Sequence, residues 1–240
     1  MKFDYKSYIN LLDRLKAKGY EFADYHNYAE FERCVIMRHD IDTDLEKAVQ
    51  MAEIEEDQNI KSTYFVLLTG NFYNTASASS QKALHSIERA GHEIGLHFDE
   101  AAYGNITSED CVDRILKEKN ILSAIMDREI TTVSMHRPSK ATLDADLKIP
   151  GMVNSYGSVF FHGFKYLSDS RRRWRENVDE IIESGRFDRL HILTHAFWYH
   201  DIEESINTTV SDFISSASKQ RYMQMAENIS NIESIVKKSF

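Results

Sequence analysis

Val35-Ile36-Met37-Arg38-His39-Asp40-Ile41-Asp42-Thr43-Asp44-Leu45-Glu46 decides the fold of this chain. Val35-Ile36-Met37 reads as a short buried strand. Thr43-Asp44-Leu45-Glu46 then opens a helix with a capping-box pattern. Arg38, His39, Asp40 and Asp42 therefore fall at the carboxyl end of a strand and before a helix, where α/β folds expose their chemistry. A second stretch repeats the arrangement. In Gly91-His92-Glu93-Ile94-Gly95-Leu96-His97-Phe98-Asp99 a helix ends, a strand follows, and ligand-type side chains stand at its tip. Aspartates and a histidine on separate strand ends are the raw material of a divalent-metal site.

Outward from these two stretches, helix and strand alternate. Strands are expected at Val35–Arg38, Thr63–Val66, Glu93–His97, Thr132–Met135, Met152–Asn154 and Leu190–Thr194. Helices are expected at Tyr5–Lys18, Asp44–Asp57, Ser79–Ala90, Ser108–Met126, Arg171–Ser184 and beyond Glu203. Strands separated by helices of this length imply parallel βαβ units, hence a barrel or a doubly wound sheet. No repeat, linker or low-complexity tract divides residues 1–240, which read as one domain with an N-terminal helix. Tyr222, Met225, Ala226, Ile229, Ile232, Ile235 and Val236 recur every three or four residues, which predicts a C-terminal helix covering the barrel.

Composition narrows the partners. The net charge of −9, from 38 acidic against 29 basic residues, disfavours nucleic acid. No apolar stretch reaches membrane-spanning length, and the N-terminus lacks a secretory apolar region, so a cytoplasmic protein is expected. Cys34 and Cys111 have no metal-site spacing and read as buried thiols. Nothing in the sequence sets the oligomeric state.

Asp40 and Asp42 are two apart and share a face of a regular strand. Two carboxylates that close differ in pKa, which suits Asp42 to binding metal and Asp40 to taking a proton. His97 and Asp99 share a face in the same way. Ser134-Met135-His136-Arg137-Pro138 places further polar groups at a strand end, where Pro138 stops the ladder. Arg137 is suited to holding a carboxylate by a bidentate contact, and His136 to ligating metal or capping the strand. His195, directly after an apolar strand, is best placed as a general acid. Trp198, with Asp169 and Arg171 beside a basic run, is expected to contact substrate, Trp198 as a stacking wall and the run as a phosphate holder.

Together these clusters resemble the polysaccharide deacetylase family, the NodB-homology or carbohydrate esterase family 4 domain. The Asp pair is His39-Asp40-Ile41-Asp42, and the following aromatic strand is Ser62-Thr63-Tyr64-Phe65. The second motif runs from Gly91 to His97, the Arg-Pro motif is Arg137-Pro138, and the last is Leu193-Thr194-His195. The resemblance implies a distorted (β/α) barrel of about seven parallel strands. It also implies a divalent metal, commonly zinc, and removal of acetyl groups from sugars. Asp40 would be the base, Asp42 and His97 metal ligands, Arg137 the residue orienting the base, and His195 the acid. Carbohydrate is the substrate class it implies, and the expected cytoplasmic location suggests a nucleotide-linked or lipid-linked sugar. Two departures stand out. The family's second metal histidine falls on Ala101, so either Asp99 or His136 supplies the third ligand, with Asp99 slightly ahead. The Arg-Pro motif continues as Ser139-Lys140.

Overall fold

The computed structural model describes residues 1–237; residues 238–240 of the expected domain lie outside the described residues. Among the described residues eight strands form: β1 (Glu21–Ala23), β2 (Cys34–Ile41), β3 (Thr63–Leu67), β4 (Glu93–Phe98), β5 (Thr132–Met135), β6 (Val153–Asn154), β7 (Lys165–Ser168) and β8 (Arg189–Thr194). The helices are α1 (Tyr5–Ala17), α2 (Leu45–Asp57), α3 (Ala78–Arg89), α4 (Ser108–Met126), α5 (Lys140–Asp144), α6 (Ser158–Gly163), α7 (Val178–Ser184) and α8 (Ile206–Asn228).

All pairings are parallel, in the order β6-β5-β4-β3-β2-β8-β7. β8 runs along one edge of β2 from Cys34 to His39. On the other edge β1 takes Cys34–Ile36 and β3 takes Arg38–Ile41. The sheet curls. In a flat sheet β2 and β6 would stand about 19 Å apart, four strand spacings. Yet Arg38 on β2 donates to Ser155 Oγ, just beyond β6, at 3.0 Å. This curled half-barrel is the expected distorted barrel, with no pairing between β6 and β7 among the described residues. Phe160 on α6 and Phe164 beside it pack with Tyr25, Cys34, Ile36 and Phe65 inside the curl.

Strand alternation sorts chemistry from packing. On β2, Val35, Met37 and Ile41 join the large core shared with α1 and α2, while Ile36, Arg38 and Asp40 face the interior. His39 takes the outer face and is structural. Its Nε2 donates to Glu55 on α2 at 2.9 Å, and Thr194 Oγ1 donates to its Nδ1 at 2.7 Å. Glu55 also accepts from Tyr8, Ser62 and Tyr64, which satisfies a fully buried carboxylate.

Several local expectations shift. The helix after β2 is capped by Asp44, which accepts from the Glu46 and Lys47 backbone, and not by Thr43. β1 and β7 were not expected; one is three residues long and the other carries no apolar run. The helix expected from Arg171 begins only at Val178. Arg171 and Arg172 adopt left-handed φ of 59° and 56°, and Asn177 supplies the cap. The tail helix does not cover the barrel. Thr209 is the buried residue of α8, and of the seven-residue apolar pattern Ile232 is buried while Met225, Ile235 and Val236 are exposed. Periodicity defines a face but not what it meets. Phe213 on α8 instead packs against Phe72 and Phe197. Cys34 and Cys111 are free and buried, as expected. Among the described residues no helix is long and apolar enough to cross a membrane.

Candidate metal and catalytic centre

The interior-facing alternation that buries Arg38 and Asp40 carries Asp42 to the mouth of the barrel at the end of β2. The same period brings up His97 on β4, His136 after β5 and His195 after β8. Asp42 Oδ1 lies 3.3 Å from His97 Nε2 and 3.2 Å from His136 Nδ1, and the two ring nitrogens are 3.1 Å apart. These three atoms form a near-equilateral triangle. Ligands at about 2.0–2.1 Å in a tetrahedral zinc site are separated by about 3.3–3.4 Å. The triangle thus has the dimensions of one face of such a site. Asp42 Oδ1 is buried and makes no hydrogen bond of good geometry, as an atom reserved for a cation would be. The two-imidazole, one-carboxylate set suits a divalent transition metal.

His136 is the third member of this possible site, and Asp99, slightly preferred from the sequence, is not part of it. β4 ends at Phe98, and Asp99 turns to cap the short helical turn Glu100–Tyr103, accepting from Ala101 N. Its other oxygen pairs with Arg137 at 2.6 Å. Ala101 is exposed on that turn. His92 is structural as expected, accepting from Ser62 N and bonding the Ala52 carbonyl.

Arg137 does not orient Asp40. Its side chain is 66% exposed and bound to Asp99. Arg38, fully buried, holds Asp40 instead: Nε and Nη2 reach Oδ1 at 3.2 and 3.0 Å, and Nη2 reaches Oδ2 at 2.7 Å. Burial alone would push the Asp40 carboxyl up. Arg38, then His97 and His195, overcome it and hold the group below the usual carboxylate range. Asp42 is likewise held below that range, burial being outweighed by His136 and His97.

His195 faces Asp42 Oδ2 through Nε2 at 3.7 Å, while its Nδ1 meets Asp169 Oδ1 at 2.6 Å. Asp169 is fully buried and also accepts from His195 N and Tyr199 OH. It supports His195 from behind, so its expected place in substrate contact is corrected. Burial disfavours charge on His195, but Asp169, with Asp40 and Asp42, raises its pKa to about 9. Arg171 is exposed two residues further on, and Trp198 is half-buried against the core with its ring on Phe197. The sequence reading missed Arg38 as Asp40's partner and Asp169 as His195's. The signal for Arg38 was its strand-face spacing to Asp40.

No family model and no curated protein sequence matches the chain. Solved structures do. A chitin deacetylase from the fungus Colletotrichum lindemuthianum aligns at 15% identity and a TM-score of 0.48, over 76% of this chain and 81% of that one. A family 4 acetyl xylan esterase from Clostridium thermocellum, in complex with a cobalt ion, aligns at 16% identity and a TM-score of 0.44, over 78% and 84%. A pseudoenzyme of that family from Bacillus anthracis aligns at 12% identity and a TM-score of 0.46, over 77% of this chain. The present chain spans 62% of the length of that one.

Proposed function

We propose that this protein is a divalent-metal-dependent hydrolase that removes an acetyl group from an amino sugar. The triangle of Asp42 Oδ1, His97 Nε2 and His136 Nδ1 carries the reading, because Asp40 and His195 flank it. Asp40 Oδ2 is 3.5 Å from His97 Nε2 on one side, and His195 Nε2 is 3.7 Å from Asp42 Oδ2 on the other. A zinc ion held by Asp42, His97 and His136 would supply Lewis-acid polarisation of the amide carbonyl.

The remaining chemistry belongs to the chain's own groups. Asp40, kept ionised by Arg38, accepts a proton from the water that adds to the acetyl carbon. His195, whose proton affinity the buried Asp169 raises, delivers a proton to the departing nitrogen as the C–N bond breaks. Acetate and a free amino sugar result. Asp169 fixes the imidazole so that Nε2 points into the site. The ordered motifs, from the Asp pair to Leu193-Thr194-His195, support a sugar substrate, including nucleotide-linked and lipid-linked amino sugars.

Acetate release from N-acetylglucosamine, its nucleotide diphosphate conjugate and chitin oligomers tests the reading, alongside metal analysis of the purified protein. Release that requires stoichiometric metal is expected. Turnover undiminished in excess chelator, or a protein that takes up no zinc, cobalt or nickel, refutes it. The latter result would favour a sugar-binding protein without catalysis, and turnover confined to non-sugar amides would move the substrate class.

A further inference from the structure

We propose that Arg38 is the positioning residue of Asp40, so that the base is clamped from inside the barrel and the rim arginine, Arg137, is outside the machinery. The proposal rests on the reading of Asp40 as the base. The Arg38 guanidinium is enclosed on every side. Its edge bonds both oxygens of Asp40, Nη1 donates to Ser155 Oγ at 3.0 Å, and Nη2 donates to Ser134 Oγ at 2.5 Å. Phe65 and Tyr156 also pack against it, with ring centroids 5.1 and 5.2 Å from Cζ. A fork held by two serines and packed against two rings can fix the orientation of the carboxylate as well as its charge.

The space for this clamp is built into the neighbouring strands. β3 and β4 pair Phe65 with Gly95, and a Cβ at Gly95 would stand 2.6 Å from the Phe65 ring. A side chain there displaces the ring that packs on the guanidinium. Gly95, Phe65, Arg38 and Asp40 thus form one mechanical line from β4 to the base. Arg137 has no place in that line, being exposed and paired with Asp99.

The test uses the zinc-loaded full chain and 4-nitrophenyl acetate, an acetyl probe free of sugar contacts, with zinc content measured for each variant. Arg38→Met is expected to lower kcat about 100-fold, within the range of a general base. KM should change less than about threefold and zinc should stay stoichiometric, since the metal ligands are untouched. Arg38→Lys keeps the charge but loses the fork, and should fall between, about tenfold down. Arg137→Ala should stay within about twofold of the parent. A larger loss in Arg137→Ala than in Arg38→Lys overturns the proposal, as does an Arg38→Met protein with undiminished kcat. Should Arg38→Met fail to fold, Ser134→Ala and Gly95→Ala report on the same line. A several-fold kcat loss at constant KM and zinc in both supports it, and no loss in either overturns it. If the parent turns over nothing with any divalent metal, the deacetylase reading fails by itself. The clamp is then judged by a crystal structure of Arg38→Lys. An Asp40 carboxylate rotated away from His97 supports it, and an unmoved one overturns it.

Discussion

Asp169→Asn separates the electrostatics of the site from its metal. In the parent protein Asp169 Oδ1 lies 2.6 Å from His195 Nδ1, with the carboxylate fully buried. Burial opposes charge on the imidazole, yet its pKa stands at about 9, because Asp169, with Asp40 and Asp42 behind it, outweighs the desolvation. Raising a histidine from about 6.5 to that value corresponds to about 3 kcal/mol favouring the charged form. Asparagine keeps the shape and the acceptor for His195 N but removes the nearest negative charge. The desolvation then dominates, and the His195 pKa should drop below about 7.

A long-range nitrogen NMR titration of the metal-free protein reads this directly, since a bound cation would itself lower the value. The same change appears in stability. The folded pKa is raised, so the contribution is complete below about pH 6.5 and lost as pH rises through about 9. Urea unfolding of the parent should show that decline across this window, and Asp169→Asn should lack it. A variant whose His195 still titrates above pH 8 would refute the reasoning, because the charge would then come from Asp40 and Asp42 alone.

Three further outcomes are expected. His136→Ala should abolish stoichiometric metal uptake whereas Asp99→Ala keeps it, since Asp99 caps a turn and pairs with Arg137; metal analysis with the reverse result would restore Asp99 as the ligand. Asp40→Asn should retain metal and lose about 10²–10⁴-fold in rate; loss of metal in a folded variant would make Asp40 a ligand. Glu55→Gln should cost about 2–3 kcal/mol, because four bonds from Tyr8, His39, Ser62 and Tyr64 lose their charged acceptor. Glu55 has its pKa lowered to about 2, burial being overcome by His39 and its hydrogen bonds. Its contribution is therefore present above about pH 4.5 and lost as pH falls toward 2, and an acid-unfolding midpoint unchanged by the substitution would count against it.

Six strands, the parallel alternation and the placement of Asp40, Asp42, His97, His136 and His195 at strand ends were legible in the sequence. Each depends on a local rule. Apolar runs mark buried strands, a period of two puts i and i+2 on one face, and caps and glycines mark helix ends. What those residues meet is not local. Arg38 reaches Ser134 and Ser155 only because the sheet curls, and nothing around Arg38 in the chain shows that curl. Asp99 left the metal set because the chain turns after Phe98, although its spacing from His97 matched that of Asp40 and Asp42. The apolar tail pattern recorded a face without a partner, since burial depends on what packs there and not on periodicity. Asp169 is 26 residues from His195, and their contact arises from the pairing of β7 with β8, which only the folded chain contains.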